Sequence, residues 1–382
     1  GLKPTIVEAT NQILPGYDME IAKLLEKYLR KEKGIKIFTE RKIIKFIGNE
    51  KGEVKAVELD DGNIIETDLV IWSAGVRPNI ELAKKVGIEI GSTGAIKVDK
   101  YMRTNIPDIF AAGDCCETTH LVCNKPIWVP MGSTANKMGR VAGQNAVADS
   151  EKDYESFEGV LGTNILKIFN YTVAKTGLSE KQAKEEGFNV ESVIVPSNDK
   201  AHYYPTSKII IIKLIAEKNT GRILGAQAIG EGVIDKPIDI IASFIYLKGS
   251  VEELSKVDLA YSPPYSTALS SVIVTANVLK NKLKGKLKGI NPQELYERLK
   301  KESLTIVDVR SEPEFMTSSI PGSINIPLNK ISEKVHILDK NKEIILVCGV
   351  GLRSYQAYTK LKALGFENIK ILDGGLKAYP YL

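Results

Sequence analysis

Residues 344–354 read IILVCGVGLRS. The apolar run IILVC predicts a buried strand, and the helical spacing of YQAYTKLKALG predicts a helix directly after it. Cys348 therefore stands at a strand-to-helix turn, where Gly349 and Gly351 permit a tight curl of backbone. In such a curl several N–H groups converge on one point beside a helix N-terminus, and both features favour an anion. A thiolate is the form that ring stabilises, and the same amides, from Gly349 through Val350, Gly351 and Leu352 to Ser354, would hold a negatively charged sulfur donor. Arg353 adds a planar cationic fork suited to oxyanions.

Outward from that turn, the last hundred residues alternate. NPQELYERLKK opens them as a helix with Asn291 as N-cap and Pro292 at its first position. Strand LTIVDVR, strand IILVC, helix YQAYTKLKALG and strand IKIL follow, the order of a small parallel α/β domain over residues 290–382. Before it, VLKNKLKGKLKGI is basic and glycine-punctuated, so residues 281–289 are expected to be a linker. Residues 151–280 place strands LKIFN, KIIIIKLIAE and ILGAQAIG ahead of a helix from Ile234 to Leu247, an α+β arrangement.

The N-terminal part reads as strand PTIVEA, a helix over Asp18–Lys33 with Ile21, Leu24, Leu25 and Leu29 on one face, and strand IKIFT. An antiparallel ribbon with turns at GNEKGE and DDGN follows, then LVIWSAG as a buried strand. This describes the later part of a nucleotide-binding α/β domain over residues 1–81. Residues 82–150 carry an apolar strand, DIFAAGD, and a small-residue helix, GSTANKMGRVAGQNAVA. The opening GLKPTIVEA reads as the tail of a helix without initiator Met or cap, so a preceding segment is expected.

Cys348-x-x-Gly351-x-Arg353-Ser354 resembles the active-site loop of rhodaneses, and Asp308-Val309-Arg310, EPEF, IPGSINIPL and Leu372-Asp373-Gly374-Gly375-Leu376 agree with that family. The family's frequent Gly-His before Ile-Pro-Gly is replaced by Ser318-Ser319. The resemblance implies that Cys348 accepts sulfane sulfur as a persulfide, with Arg353 and the backbone of Gly349 to Ser354 stabilising the charge. TNIPDIFAAGD (Thr104–Asp114) resembles the second FAD motif of pyridine nucleotide–disulfide oxidoreductases, and WVPMGSTANKMGRVAG resembles their segment beside the flavin. It implies Asp114 on the ribitol chain and Val129, Pro130, Thr134 and Ala135 along the flavin. Glu8 ends a strand where that family binds adenosine ribose, favouring NADH, and Gly75 lies in the turn SAGVRPN, which resembles the one touching that cofactor.

TVAKTGLSEKQAKEEGF resembles the dimerisation domain of coenzyme A-disulfide reductases and NADH oxidases, which implies a homodimer. AHYYPTS and DLAYSPPYS resemble the coenzyme A-disulfide reductases, and the fusion resembles NADH-dependent persulfide and polysulfide reductases. Tyr203 and Tyr261 match tyrosines that this family brings across the dimer interface, where a phenol can donate a proton to a leaving thiolate. The implied fold is α/β: a partial two-dinucleotide-domain flavoprotein, an α+β dimerisation domain and a parallel rhodanese-like domain. The implied activity is reduction of coenzyme A disulfide, persulfide or polysulfide with FAD and NADH, coupled to sulfur transfer by Cys348. A sulfurtransferase on a flavin-free dimerisation scaffold and an NADH oxidase are the alternatives.

The first FAD glycine motif, the redox cysteine and the NAD glycine loop of that family all belong upstream of Gly1, and no G-x-G-x-x-G follows a strand here. Cys115 and Cys116 stand at a position that is structural in the family, and Cys123 carries no motif. His120, His202 and His336 show no metal-ligand spacing. With 26% charged residues, a net charge of +5 and lysines alternating with acids, nothing resembles a nucleic-acid surface. No run approaches a membrane span. Four cysteines in 382 residues fit a reducing cytoplasm.

Overall fold

The computed structural model describes residues 2–382. They fall into two compact units, one joining the chain up to Val70 with Asn164–Leu382, the other spanning Ile71–Thr163. Among the described residues no helix is long and apolar enough to cross a membrane.

The first unit begins with β1 (Thr5–Val7), α1 (Met19–Lys31) and β2 (Lys36–Phe38), with β1 parallel to β2. Leu2 and Lys3 are irregular, and the rest of the helix tail expected at the start lies outside the described residues. Ile21, Leu25, Tyr28 and Leu29 recur at helical spacing in α1 and are buried, each contributing about 1.5–3 kcal/mol. Gly34, at φ +65°, lets the chain turn out of the helix. The ribbon of β3 (Ile43–Gly48), β4 (Val54–Leu59) and β5 (Ile64–Glu66) is antiparallel, as its turns predict.

LVIWSAG is not a strand. Its residues are irregular, with Leu69, Ile71 and Trp72 exposed at 73, 80 and 63%. A parallel strand exists only where neighbouring strands take up its backbone N–H and C=O groups, and none of the described sheets includes this segment. In the second unit, DIFAA likewise forms only a bridge between Arg103 and Phe110 instead of a strand. That unit contains α2 (Glu81–Lys85), the hairpin β6 (Thr118–His120) and β7 (Lys125–Ile127), and α3 (Gly132–Ala146), the predicted small-residue helix. Its core gathers Ile96, Met102, Cys116, Met138 and Val141.

The chain then returns to the first unit through β8 (Asn164–Ile168), β9 (Tyr171–Gly177), α4 (Glu180–Glu185), β10 (Val190–Asn198), β11 (Ile209–Glu217) and β12 (Ile223–Gly230). These strands make an antiparallel sheet in the order β10-β11-β12-β9-β8. α5 (Asp235–Tyr246), α6 (Val251–Leu254) and α7 (Ser271–Leu283) follow it. The expected linker is shorter than residues 281–289: α7 holds its first three residues and β13 (Gly289–Ile290) its last. Leu287 between them is also buried, so this basic stretch is largely anchored.

The remaining elements are α8 (Pro292–Leu299), β14 (Thr305–Asp308), α9 (Glu312–Thr317), β15 (Ile324–Asn325), β16 (Ile344–Val347), α10 (Leu352–Ala363) and β17 (Ile369–Leu372). The sheet runs β13-β17-β16-β14-β15, every pair parallel. Asn291 accepts the Gln293 N–H at 2.7 Å, and Pro292 follows it, as the cap signal predicts.

Two buried charge clusters join the parts of the first unit. Lys213 of β11 is 1% exposed and meets Asp18 at 3.0 Å, Glu20 at 3.3 Å and Glu180 at 2.8 Å. Burial alone would lower its pKa, but Glu20, Asp18 and Glu180 outweigh that and raise it. Asn291, at the start of α8, donates to Glu20 from the other side. In the second cluster Lys282 of α7 meets Asp373 at 2.9 Å and Glu191 at 3.1 Å, and donates to the Ser192 carbonyl at 2.7 Å. Burial pushes the Asp373 carboxyl up to about 6 against the pull of Lys282.

Candidate active site

β16 delivers Cys348 to the point where the sheet ends and α10 begins. The thiol is 1% exposed. Gly351 takes φ +106°, a left-handed conformation that side chains resist, and so bends the loop back towards the cysteine. The backbone N–H of Gly351 then donates to Cys348 Sγ at 3.1 Å and that of Ser354 at 3.4 Å. Both groups belong to the start of α10, whose dipole adds to their pull on a negative sulfur. The Ser354 hydroxyl is buried without a hydrogen-bond partner among the described residues.

The back of the loop is held by the turn after β17. Leu376 N–H donates to the Cys348 carbonyl at 2.9 Å, and Lys377 N–H to that of Gly349 at 3.0 Å. A Cβ on Gly375 would lie 2.3 Å from the Cys348 carbonyl oxygen, so only glycine allows this approach. A Cβ on the preceding Gly374 would come within 3.1 Å of the Ile194 carbonyl and 3.2 Å of Pro196 Cδ, both on β10. The loop is thus seated, through two glycines, on the edge of the antiparallel sheet.

Arg353 is at the loop, but its fork is engaged. Both terminal nitrogens donate to Glu314 of α9, each at 2.7 Å. Hydrogen bonding from Arg353 holds the Glu314 carboxyl down near 2, and Glu314 in turn raises the Arg353 pKa. Sequence reasoning passed over Glu314. The available signal was Ser311-x-x-Glu314, a capping box that forms in α9 and marks the carboxylate as ordered.

A cavity of about 460 Å³ opens beside the loop, with Val350 on one side and Pro196, Asn198, His202, Tyr203 and Tyr261 on others. Tyr203 and Tyr261, far apart in sequence, therefore share one space with the Cys348 loop. Both side chains are more than half exposed. Glu8, just past β1, is occupied locally, its carboxylate accepting the Thr10 N–H at 2.8 Å. Gly75 has φ +93° within an exposed irregular segment.

The other expected residues cluster within the second unit. Gly113, at φ +89°, would place a Cβ 3.6 Å from Ala135 Cβ, which sets the Gly113-Asp114 turn against the first turn of α3. Trp128 Nε1 donates to the Asp114 carbonyl at 2.7 Å and ties the turn to the segment carrying Val129 and Pro130. Thr134 is buried, while the Asp114 side chain stays exposed. An exposed carboxylate after a glycine in the left-handed conformation, beside a helix start, fits one wall of a flavin site. Among the described residues no group of His, Cys, Asp and Glu is placed to hold a metal ion.

Comparison with known proteins gives three family matches: pyridine nucleotide-disulphide oxidoreductase over residues 1–149, its dimerisation domain over residues 163–273, and a rhodanese-like domain over residues 291–380. A NAD-dependent persulfide reductase from A. fulgidus superposes with a TM-score of 0.89 at 41% identity, covering 98% of this chain and 67% of that one. The reduced CoADR-RHD of Bacillus anthracis gives 0.90 at 34% identity, covering 99% and 66%. The NAD(P)H sulfur oxidoreductase (CoA-dependent) of Pyrococcus furiosus is 37% identical over 267 residues, 70% of this chain and 58% of that protein's length. The chain thus spans little more than half the length of that curated relative. With three matched domains in this order on one described fold, the chain belongs to the pyridine nucleotide-disulphide oxidoreductases, and within them to those that carry a rhodanese-like domain.

Proposed function

We propose that this chain serves the NADH-dependent reduction of persulfide, polysulfide or coenzyme A disulfide, with Cys348 carrying sulfane sulfur to or from the reducing site. The observation that carries this reading is the seat of Cys348: a buried sulfur receiving two backbone N–H groups at a helix start, beside a cavity that also holds Tyr203 and Tyr261. Those amides favour a sulfur anion, whether the thiolate before transfer or the persulfide after it. Tyr203 and Tyr261 present phenols to the same space and would donate a proton to a departing thiolate.

Asp114, Val129, Pro130, Thr134 and Ala135 would hold FAD, with Glu8 and Gly75 towards NADH. When bound, these groups would supply the electrons that cleave the S–S bond. The matched dimerisation domain supports a homodimer as the working form. Similarity to a persulfide reductase and to a CoA-dependent sulfur oxidoreductase favours sulfur compounds over oxygen as the acceptor.

The test compares the chain with its Cys348→Ala variant after exposure to an organic persulfide. Intact-mass spectrometry should find one extra sulfur atom on the unmodified chain and none on the variant, with sulfur transfer down by at least ~10³-fold. Persulfide turnover unchanged in the variant would remove Cys348 from the reaction. The visible spectrum of the purified chain reports separately on bound flavin.

A further inference from the structure

The two arginines nearest Cys348 are both paired with carboxylates. Arg353 gives both ends of its fork to Glu314. Arg310 is buried and bonded to Asp308 at 2.7–3.0 Å and to the Ser318 carbonyl at 2.5 Å. Because Glu314 stays ionised down to about 2, the Arg353–Glu314 pair carries no net charge at any working pH. The exposed side chains of the loop itself, Val350 and Leu352, are apolar and stand 42 and 65% open. An incoming donor therefore meets backbone amides and a loop guanidinium already paired with a carboxylate.

Sulfane donors differ sharply in what they ask of such a loop. Thiosulfate arrives as a dianion and leaves sulfite, so a second charge needs a partner throughout the transfer. An organic persulfide leaves one thiolate and brings carbon next to its sulfur. Backbone amides match the charge on the transferred sulfur and leave a sulfonate group without a free cation.

We propose that Glu314 determines donor specificity: by occupying the Arg353 fork it removes the free cation from the loop and selects organic persulfides over inorganic dianions such as thiosulfate. This rests on Cys348 being the sulfur carrier. In the transfer, the Cys348 thiolate attacks the outer sulfur of R–S–SH. The Cys348–S bond forms as the S–S bond between the inner and outer sulfur of the donor breaks, and the electron pair leaves on RS⁻. The proton stays on the transferred sulfur, so no outside oxidant or reductant is consumed.

The experiment measures loading of sulfur onto Cys348 by rapid-quench intact-mass spectrometry, with glutathione persulfide and thiosulfate as the two donors. The unmodified chain should load from the persulfide at least ~100-fold faster, and Glu314→Gln should cut that ratio about tenfold or more, the worth of one freed charge-assisted hydrogen bond. Leu352→Lys adds an unpaired cation at an exposed position and should shift the ratio in the same direction without touching Glu314, which decides the matter if Glu314→Gln fails to fold. Equal rates from the two donors, or a ratio that neither variant moves, overturns the proposal. Failure of both donors to load Cys348 overturns the carrier reading itself, a distinct result.

Discussion

Gly375 sets how closely the clamping turn can approach the Cys348 loop. An alanine Cβ would intrude to 2.3 Å from the Cys348 carbonyl oxygen and 2.9 Å from the Gly349 carbonyl carbon, at a φ of +57°. Gly375→Ala must therefore push the loop off the turn and loosen the two amides on the sulfur. It should cost about 2 kcal/mol by urea denaturation and slow sulfur loading of Cys348 about tenfold, with the helix content unchanged by circular dichroism. A variant with unaltered loading would show that the clamp does not shape the loop. Cys348, Gly351, Arg353 and Ser354 were legible in the sequence because strand, curl and helix are contiguous there. Glu314 was not, since its partner lies 39 residues away and only the fold brings them together. Lys213 was equally silent: in KIIIIKLIAE it reads as one polar residue in an apolar strand, and nothing local names its three carboxylates.

At the scale of elements, α7 and β10 meet the clamping turn through Lys282. Removing that ammonium leaves Asp373 buried without its partner, which costs about 3–5 kcal/mol when Asp373 is ionised, while the part-exposed Glu191 keeps Lys218. Asp373 has a folded pKa raised to about 6, above its unfolded value, so what it contributes is present at low pH and lost as pH rises through that value. Lys282→Met should therefore lower the thermal midpoint clearly at pH 8 and much less at pH 5, where Asp373 takes up a proton. A deficit of equal size at the two pH values would mean the pair is solvated. The elements were readable where each carries its own partner nearby. The antiparallel ribbon, the small-residue helix and the alternating C-terminal strands all formed as their patterns predict. LVIWSAG and DIFAA did not, because a buried parallel strand is specified by its neighbours as much as by its own apolar residues.

At the scale of the molecule, Lys213 is a joint. Asp18 belongs to the start of α1, Glu180 to α4 beside the antiparallel sheet, and Glu20 is shared with Asn291 at the entry to the C-terminal domain. Asp18 also accepts the N–H groups of Glu180 and Lys181 at 3.0 and 3.3 Å, and the Gln227 side chain at 2.7 Å. Lys213→Met should destabilise the chain by about 3–5 kcal/mol at pH 7 in urea titrations. Glu180 is held well below the usual carboxylate range, because Lys213 together with Lys184 and Ser192 outweighs the effect of its burial. Its contribution is present above its unfolded pKa and lost as pH falls. The deficit of the variant should shrink towards pH 4, and a pH-independent deficit would assign the effect to packing alone. Apolar contact reinforces the joint, for Ala378 after the clamping turn packs in one cluster with Ile21 of α1 and Ile194 of β10. The seat of Gly374 on β10 then bears on how such fusions can be rebuilt. The rhodanese-like module is not a bead on a string that could be exchanged for any relative at its connecting stretch. A transplanted module would inherit a bare edge at Gly374 and Ala378 and half of an ion pair at Asp373, and would need a host strand already cut to that shape.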